Sequence, residues 1–267
     1  MEKKLNFLYS SIHGAYWVYY GVISSFSSVF LLARGFSNSQ IGIIIALANI
    51  LAVIIQPYLA DYVDRSGRTA IFSVMASMCI ALVLFTNIIL VAKNHLLLGA
   101  FYVAAFMLQS VMQPFCNGLN RVLEDGGNKI YFGFCRSIGS LVYSIVVVVL
   151  GYMVDSYTVD IIPKAGILTA LVLLAVVWFS YRAHNQNTSD VVENLVGHEI
   201  PAEKINLREF LKGHRMFFMV NIGVLGLYVG NATVNTFMAQ IVRSVGGNNG
   251  EVGLVLSVLA FLEVPAM

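Results

Sequence analysis

Two apolar runs of membrane length meet across the stretch Gln56-Pro-Tyr-Leu-Ala-Asp-Tyr-Val-Asp-Arg-Ser-Gly-Arg68, and this junction restricts the chain more than any other feature. The run Ile41 to Leu59 carries no charge, which suits a helix that needs about 20 apolar residues to cross a bilayer. A second run opens at Ala70. Between them, Asp64, Arg65, Gly67 and Arg68 make a turn so short and so charged that it belongs in water, with Gly67 free to take the bend. The two helices are therefore expected to be antiparallel neighbours.

The rest of the chain repeats that pattern. It is 58% hydrophobic and only 11% charged, against about 25% charged in soluble domains, so the fold class is an all-α polytopic membrane protein. Apolar runs bounded by Gly, Asn, Asp or charged residues predict helices near 8–33, 41–62, 70–92, 96–123, 130–154, 161–181, 216–243 and 252–267. Residues 183–214 are polar and acidic and predict a flexible linker. Within that linker, Asn206-Leu-Arg-Glu209 has the spacing of a helix cap, which predicts a short interfacial helix ending at Gly213. The expected domains are a six-helix bundle over 1–182, a linker over 183–215 and the first two helices of a second, incomplete bundle over 216–267.

Basic residues assign the sides. Of the 16 Lys and Arg, eleven (Lys3, Lys4, Arg65, Arg68, Arg121, Lys129, Arg182, Lys204, Arg208, Lys212, Arg215) fall on one side of these spans. Four (Arg34, Lys93, Lys164, Arg243) fall on the other, and Arg136 lies within a span. The excess of positive charge predicts a cytoplasmic N-terminus and a cytoplasmic linker. A net charge of +2 divided among loops points to no nucleic-acid partner. The cysteines Cys79, Cys116 and Cys135 sit inside apolar runs without metal or disulfide spacing and are expected to be small core residues. Met1 to Lys4 precede a run longer than a signal-peptide core and without a small-x-small cleavage site, so it is retained as the first helix.

An internal echo divides the chain. Gly35 and Gly42 correspond to Gly246 and Gly253 at one offset of 211 residues, and the apolar runs that follow carry Pro57 and Pro265. An offset of that size suits a half of six helices plus a linker. The eighth run begins at Val252 and extends 16 residues to Met267, short of the roughly 20 needed to cross. The expectation is a fragment of a twelve-helix protein whose further C-terminal helices complete the second bundle.

Ionisable groups at membrane depth are costly and tend to mark a pathway or a buried pair. Arg136 lies on a small-residue face with Cys135, Ser137, Gly139 and Ser140, and Glu263 lies near the middle of a full-length eighth span. For Arg136 the alternative is that it snorkels to the cytoplasmic interface. His13 and Asp61 are expected at the interface and the cytoplasmic rim. Asn117, Asn120, Asn231, Asn235 and Gln240 add neutral polar groups suited to a polyol or nucleoside.

The spacing Ala60-x-x-x-Asp64-Arg65-x-Gly67-Arg68 resembles the loop signature of the major facilitator superfamily, Gly-x-x-x-Asp-Arg-x-Gly-Arg, with Ala60 in place of the first glycine. At Tyr131-Phe-Gly-Phe-Cys-Arg136-Ser-Ile-Gly139 the chain resembles the oligosaccharide:proton symporters, the lactose permease group, whose fifth helix reads Phe-Gly-Arg-x-Arg-x-x-Gly. Phe134 stands where the first of those arginines would be. The Gln56-Pro57 end of helix two, the Gly42-Ile-Ile start of that helix and Glu263 also fall at corresponding places. The resemblance implies a six-plus-six major-facilitator bundle in which Arg136 binds sugar, Tyr143 stacks on it and Glu263 links sugar binding to proton transfer. Gly118 stands where that group has a helix-four glutamate.

The expected function is secondary active transport, sugar or nucleoside:proton symport by alternating access across a bacterial inner membrane. Its partners are then a small-molecule substrate, protons and the lipid bilayer, with no cofactor. A drug:proton antiporter is the alternative, for which acids on helix one are expected and Tyr16 to Tyr20 supplies aromatic groups instead; a non-transporting membrane fragment is another. No paired acids, Ser/His pair or metal cluster at helical spacing points to an enzyme.

Overall fold

A lipid phase offers no hydrogen bonds to the backbone, so long apolar runs satisfy their own N–H and C=O groups by forming helices. A computed structural model of the chain describes residues 2–67, 69–124, 128–188 and 213–264. Its elements are α1 (Glu2–Ala33), α2 (Asn38–Arg65), α3 (Ala70–Val91), α4 (His95–Glu124), α5 (Phe132–Ser156) and α6 (Ile161–Thr188), then α7 (Arg215–Thr236), α8 (Met238–Ser244) and α9 (Asn249–Glu263). Among the described residues there is no strand, and seven helices, α1 to α7, are long and apolar enough to span a membrane. Arg68, Pro265, the proposed helix at Asn206–Glu209 and most of the expected linker lie outside the described residues.

Several boundaries differ from expectation: α1 opens at Glu2 and not near residue 8, α6 runs to Thr188 and so takes in the start of the expected linker, and two others have local reasons. α2 continues to Arg65 because Arg65 Nε donates to Asp61 Oδ1 at 2.8 Å across one exposed turn; Asp64 and Arg65 are thus its last turn, and the bend is left to Ser66 and Gly67, whose φ is +90°. The seventh run does not continue unbroken to 243 but divides at Phe237 into α7 and α8. Thr233 and Asn221 there turn their side chains back to backbone carbonyls of the preceding turn, and Asn235 bonds Asn231, a local competition that weakens a helix.

The packing is dominated by α5 against α9, α1 against α5, α3 against α6, α1 against α6, α2 against α4 and α3 against α4. α1 is the central post. Its largest fully buried side chains include Tyr9, Tyr16, Tyr19, Phe26 and Phe30. The tyrosine hydroxyls are bonded across the bundle, Tyr16 to the Gln109 carbonyl at 3.1 Å and Tyr19 to Thr86 at 3.0 Å. From Tyr20 to Ser25 the helix loosens to a π-type turn, a local widening that frees carbonyls from the usual ladder, and the Ile23 carbonyl accepts from Tyr102 Oη at 2.5 Å. All three cysteines are buried and unbridged. In contrast, no residue of α7 is buried.

The 211-residue echo recurs as geometry. Gly35 and Gly246 take φ of +87° and +86°, a region that glycine enters without a Cβ penalty. Ser37 and Asn248, at the same offset, each cap the following helix, and Gln40 and Glu251 complete the two capping boxes.

Candidate functional site

A ladder of side chains joins α1 to α5. Tyr9, His13, Trp17 and Tyr20 are spaced three or four residues apart and share one face of α1; Phe132, Arg136, Gly139 and Tyr143 do the same on α5. Tyr9 and His13 lie 6.4 Å and 6.0 Å from the Phe132 ring, and Trp17 and Tyr20 lie 6.5 Å and 6.2 Å from that of Tyr143. Between these rungs the Arg136 guanidinium sits 4.0 Å above the Trp17 ring. Gly139 makes this possible, because a Cβ there would stand 2.8 Å from the Trp17 ring and 3.2 Å from the His13 carbonyl oxygen.

Arg136 does not reach back to the near surface. Its Nη1 donates to Ser140 Oγ at 2.9 Å, one turn deeper into the span, whereas helical side chains ordinarily lean towards the helix N-terminus. A cation over an indole face is worth about 0.5–1 kcal/mol exposed and 2 or more when desolvated, enough to hold the guanidinium inside the bundle with donors to spare. Tyr143 is buried, 7% exposed, and its hydroxyl pairs with Ser25 at 2.8 Å. Trp17 and Tyr20 are half-buried and present the accessible aromatic surface above it.

α9 brings the acid. Gly253 lies against Val147 and Asn249 against Gly151, so close that a Cβ on Gly253 would fall 2.3 Å from the Val147 carbonyl oxygen and one on Gly151 would fall 2.4 Å from that of Asn249. Continuing this antiparallel register ten residues from Gly253 sets Glu263 level with Ser137, beside Arg136. The Glu263 carboxylate lies within electrostatic range of Arg136, Tyr20 and Tyr143, yet it forms no ion pair among the described residues.

At the other end of the same two helices, Asp155 grips the first turn of α9. Its Oδ1 accepts from Asn249 Nδ2 at 2.6 Å and from the Asn249 backbone N–H at 3.3 Å, and its Oδ2 accepts from the Gly250 N–H at 2.8 Å. An anion is favoured there because the first N–H groups of a helix have no partners within it. Arg34, just past α1, and Asp160, just before α6, pair at 2.6 Å.

The remaining sequence candidates fall elsewhere. Asn117 and Asn120, with Gly118, Arg121 and Phe132, line an open cavity of about 400 Å³ at the end of the bundle where α1 begins; Tyr9 Oη donates to the Asn117 carbonyl at 3.1 Å. Asn235 is paired to Asn231 on α7, and Gln240 Nε2 donates to Asn38 at the far end of α2 at 3.1 Å. Asp64, Arg65 and Gly67 form the exposed end of α2, with Arg68 outside the described residues. His13, expected at the interface, is instead fully buried, and neither ring nitrogen has a hydrogen-bond partner; each such loss costs on the order of 1–3 kcal/mol.

Sequence reasoning missed Trp17 and Asp155. The signal for Trp17 was its place four residues after His13 and three before Tyr20, a stripe of rings on one face; Asp155 carried none, since its partner lies 94 residues away.

Comparison with known proteins gives one match, a family model described as the MFS_1 like family over residues 9–267. No curated protein and no solved structure matches the chain.

Proposed function

Because the chain belongs to the MFS_1 like family of the major facilitator superfamily, and is thus a membrane transporter in kind, we propose that it carries a small neutral polyhydroxylated solute, a sugar or nucleoside, in symport with protons. The observation that supports this most is that Arg136 on α5 and Glu263 on α9 stand level, unpaired among the described residues and within electrostatic range of one another, beside the rings of Trp17, Tyr20 and Tyr143. A guanidinium offers a planar fork of donors that can hold two hydroxyls at once. A carboxylate facing it accepts from a third hydroxyl or takes a proton, and a half-buried indole and phenol give a flat apolar plate for a sugar or base ring. Groups on two helix bundles that are unbonded to one another are suited to closing over a solute between them.

In this proposal the bundle of α1 to α6 and the unit that begins with α7 rock about the site, as alternating access requires. The N-terminus lies in the cytoplasm of a bacterial inner-membrane protein, in keeping with the eleven basic residues on that side. Asn117 and Asn120 then line the cytoplasmic approach, and the motif of Asp64, Arg65, Gly67 and Arg68, which begins in the last turn of α2, is the segment whose rearrangement accompanies rocking.

Equilibrium binding of a panel of mono- and disaccharides and nucleosides to the purified chain, with a pH indicator present, tests this. Saturable binding of one class with proton uptake is the expected result. Binding of lipophilic cations alone, with no sugar or nucleoside retained, would overturn it.

A further inference from the structure

Among the described residues, His13 is the one buried side chain with two polar atoms that both lack a hydrogen-bond partner. It is fully buried, edge-on to Tyr9 at 4.7 Å and to Phe132 at 6.0 Å. Packing alone gives no reason for an imidazole here, since a phenyl ring would fill an aromatic box of this kind and leave no nitrogen unbonded. A buried polar group without a partner calls for an explanation in function, and two features of its surroundings supply one.

The first is access. Phe132, against which the imidazole packs, is also a wall of the open cavity lined by Asn117, Asn120 and Arg121. Rotation of that one ring would join the cavity to the imidazole, and the Tyr9–Asn117 bond fixes the other side of the passage. The second is reach. One turn further along α1 is Trp17, and one turn beyond Phe132 on α5 is Arg136, stacked on Trp17. Positive charge on the imidazole therefore arises one rung from the guanidinium and repels it in a medium that screens poorly.

We propose that His13 is a proton-binding group of the transporter, loaded from the Asn117–Asn120 cavity when Phe132 swings aside, and that its charge shifts Arg136 away from Trp17 towards Glu263. The proposal rests on Arg136 being the solute-binding group. The proton passes from solvent in the cavity to an imidazole nitrogen and returns by the same door or leaves on the other face after rocking. The titratable or charged groups that face this ring are Tyr9 on α1 and Arg136 on α5; Cys116 and Glu124 on α4 and Cys135 on α5 lie around Tyr9, Arg121 on α4 lines the cavity, and Glu263 on α9 lies beyond Arg136.

The chain has two tryptophans, so Trp178→Phe leaves Trp17 as the sole indole emitter, one rung from both His13 and Arg136. The purified Trp178→Phe chain in lipid nanodiscs, with no ligand added, is titrated from about pH 8 to about pH 3 while Trp17 emission is followed. A one-proton transition is expected, lost completely in His13→Phe, with His13→Gln as a second variant should the first not fold. In Arg136→Gln the transition is expected to persist with a smaller amplitude, because no guanidinium leaves the indole. An unchanged transition in both His13 variants, or no transition in the parent, would overturn the proposal. Loss of the transition in His13→Phe together with unaltered solute binding in Arg136→Lys would retain the proton site and refute the solute site; the reverse pair of results would do the opposite.

Discussion

At the Asp155 end of the α5–α9 pair, backbone touches backbone across Gly151 and Gly253, and one carboxylate holds the first turn of α9 by three hydrogen bonds. At the Arg136 end of the same pair, opposite charges stand level with one another and are not joined. The difference follows from residue size and chain direction. Glycines let two helices approach until their carbonyls nearly meet, and an acid at a helix N-terminus adds an anchor, so that end is closed. At the other end α5 carries Phe132, Arg136 and Ser140 and α9 carries Glu263, so bulky and charged side chains stand where the glycines stood and, among the described residues, no ion pair closes the gap between the two charges. A pair that is tight at one end and loose at the other can rock about its tight end.

Removing the tight end should have the largest effect. Gly253→Leu places a branched side chain where even a Cβ meets the Val147 carbonyl oxygen; overpacking of this kind costs about 1–3 kcal/mol or more, so α9 should leave α5. The spin-label distance between α5 and α9 near Gly151 reports it: the distance should lengthen in Gly253→Leu, and an unchanged distance would show that the contact is not close. Asp155→Ala comes next. Hydrogen bonds to a charged group are worth about 1.5–3 kcal/mol, reduced here because the site meets solvent, so the spin-label distance between the far ends of α5 and α9 should broaden without loss of the fold. An unaltered distance distribution would mean that the glycines alone hold this end.

At the loose end, Tyr143→Phe removes the bond to Ser25 and should lower stability by about 1 kcal/mol, read as a modest fall in thermal midpoint with the Trp17–Arg136 stack kept. The smallest change belongs to Arg65→Ala. The Arg65–Asp61 pair is exposed on one helix, a kind worth about 0.3–0.5 kcal/mol, so the midpoint should stay within error of the parent; a large drop would give the end of α2 a packing role that its exposure does not suggest.

What was legible in the sequence was what a single segment decides. The apolar runs located the helices, and the shared offset of Gly35 and Gly246, read as a sign of two halves, recurs as two turns of the same backbone geometry, because turn chemistry is local. Helix ends were less legible, as at Arg65, where a side-chain pair carries α2 past its apolar stretch. Contacts set by helix register could not be read. Trp17 beneath Arg136, Asp155 at the start of α9 and the burial of His13 each depend on how far one helix slides along another, which no window of residues encodes. Arg136 and Glu263 were picked out as charges in apolar runs and by resemblance, and the α5–α9 register sets them level.

The most direct test compares solute binding by Arg136→Lys and Arg65→Lys, using the sugar or nucleoside retained by the parent chain. Lysine keeps the charge and loses the planar fork, so affinity in Arg136→Lys should fall about tenfold or more, roughly 1.4 kcal/mol, while Arg65→Lys binds as the parent does. Equal affinity in all three proteins would remove Arg136 from solute recognition and contradict the site proposed between α5 and α9.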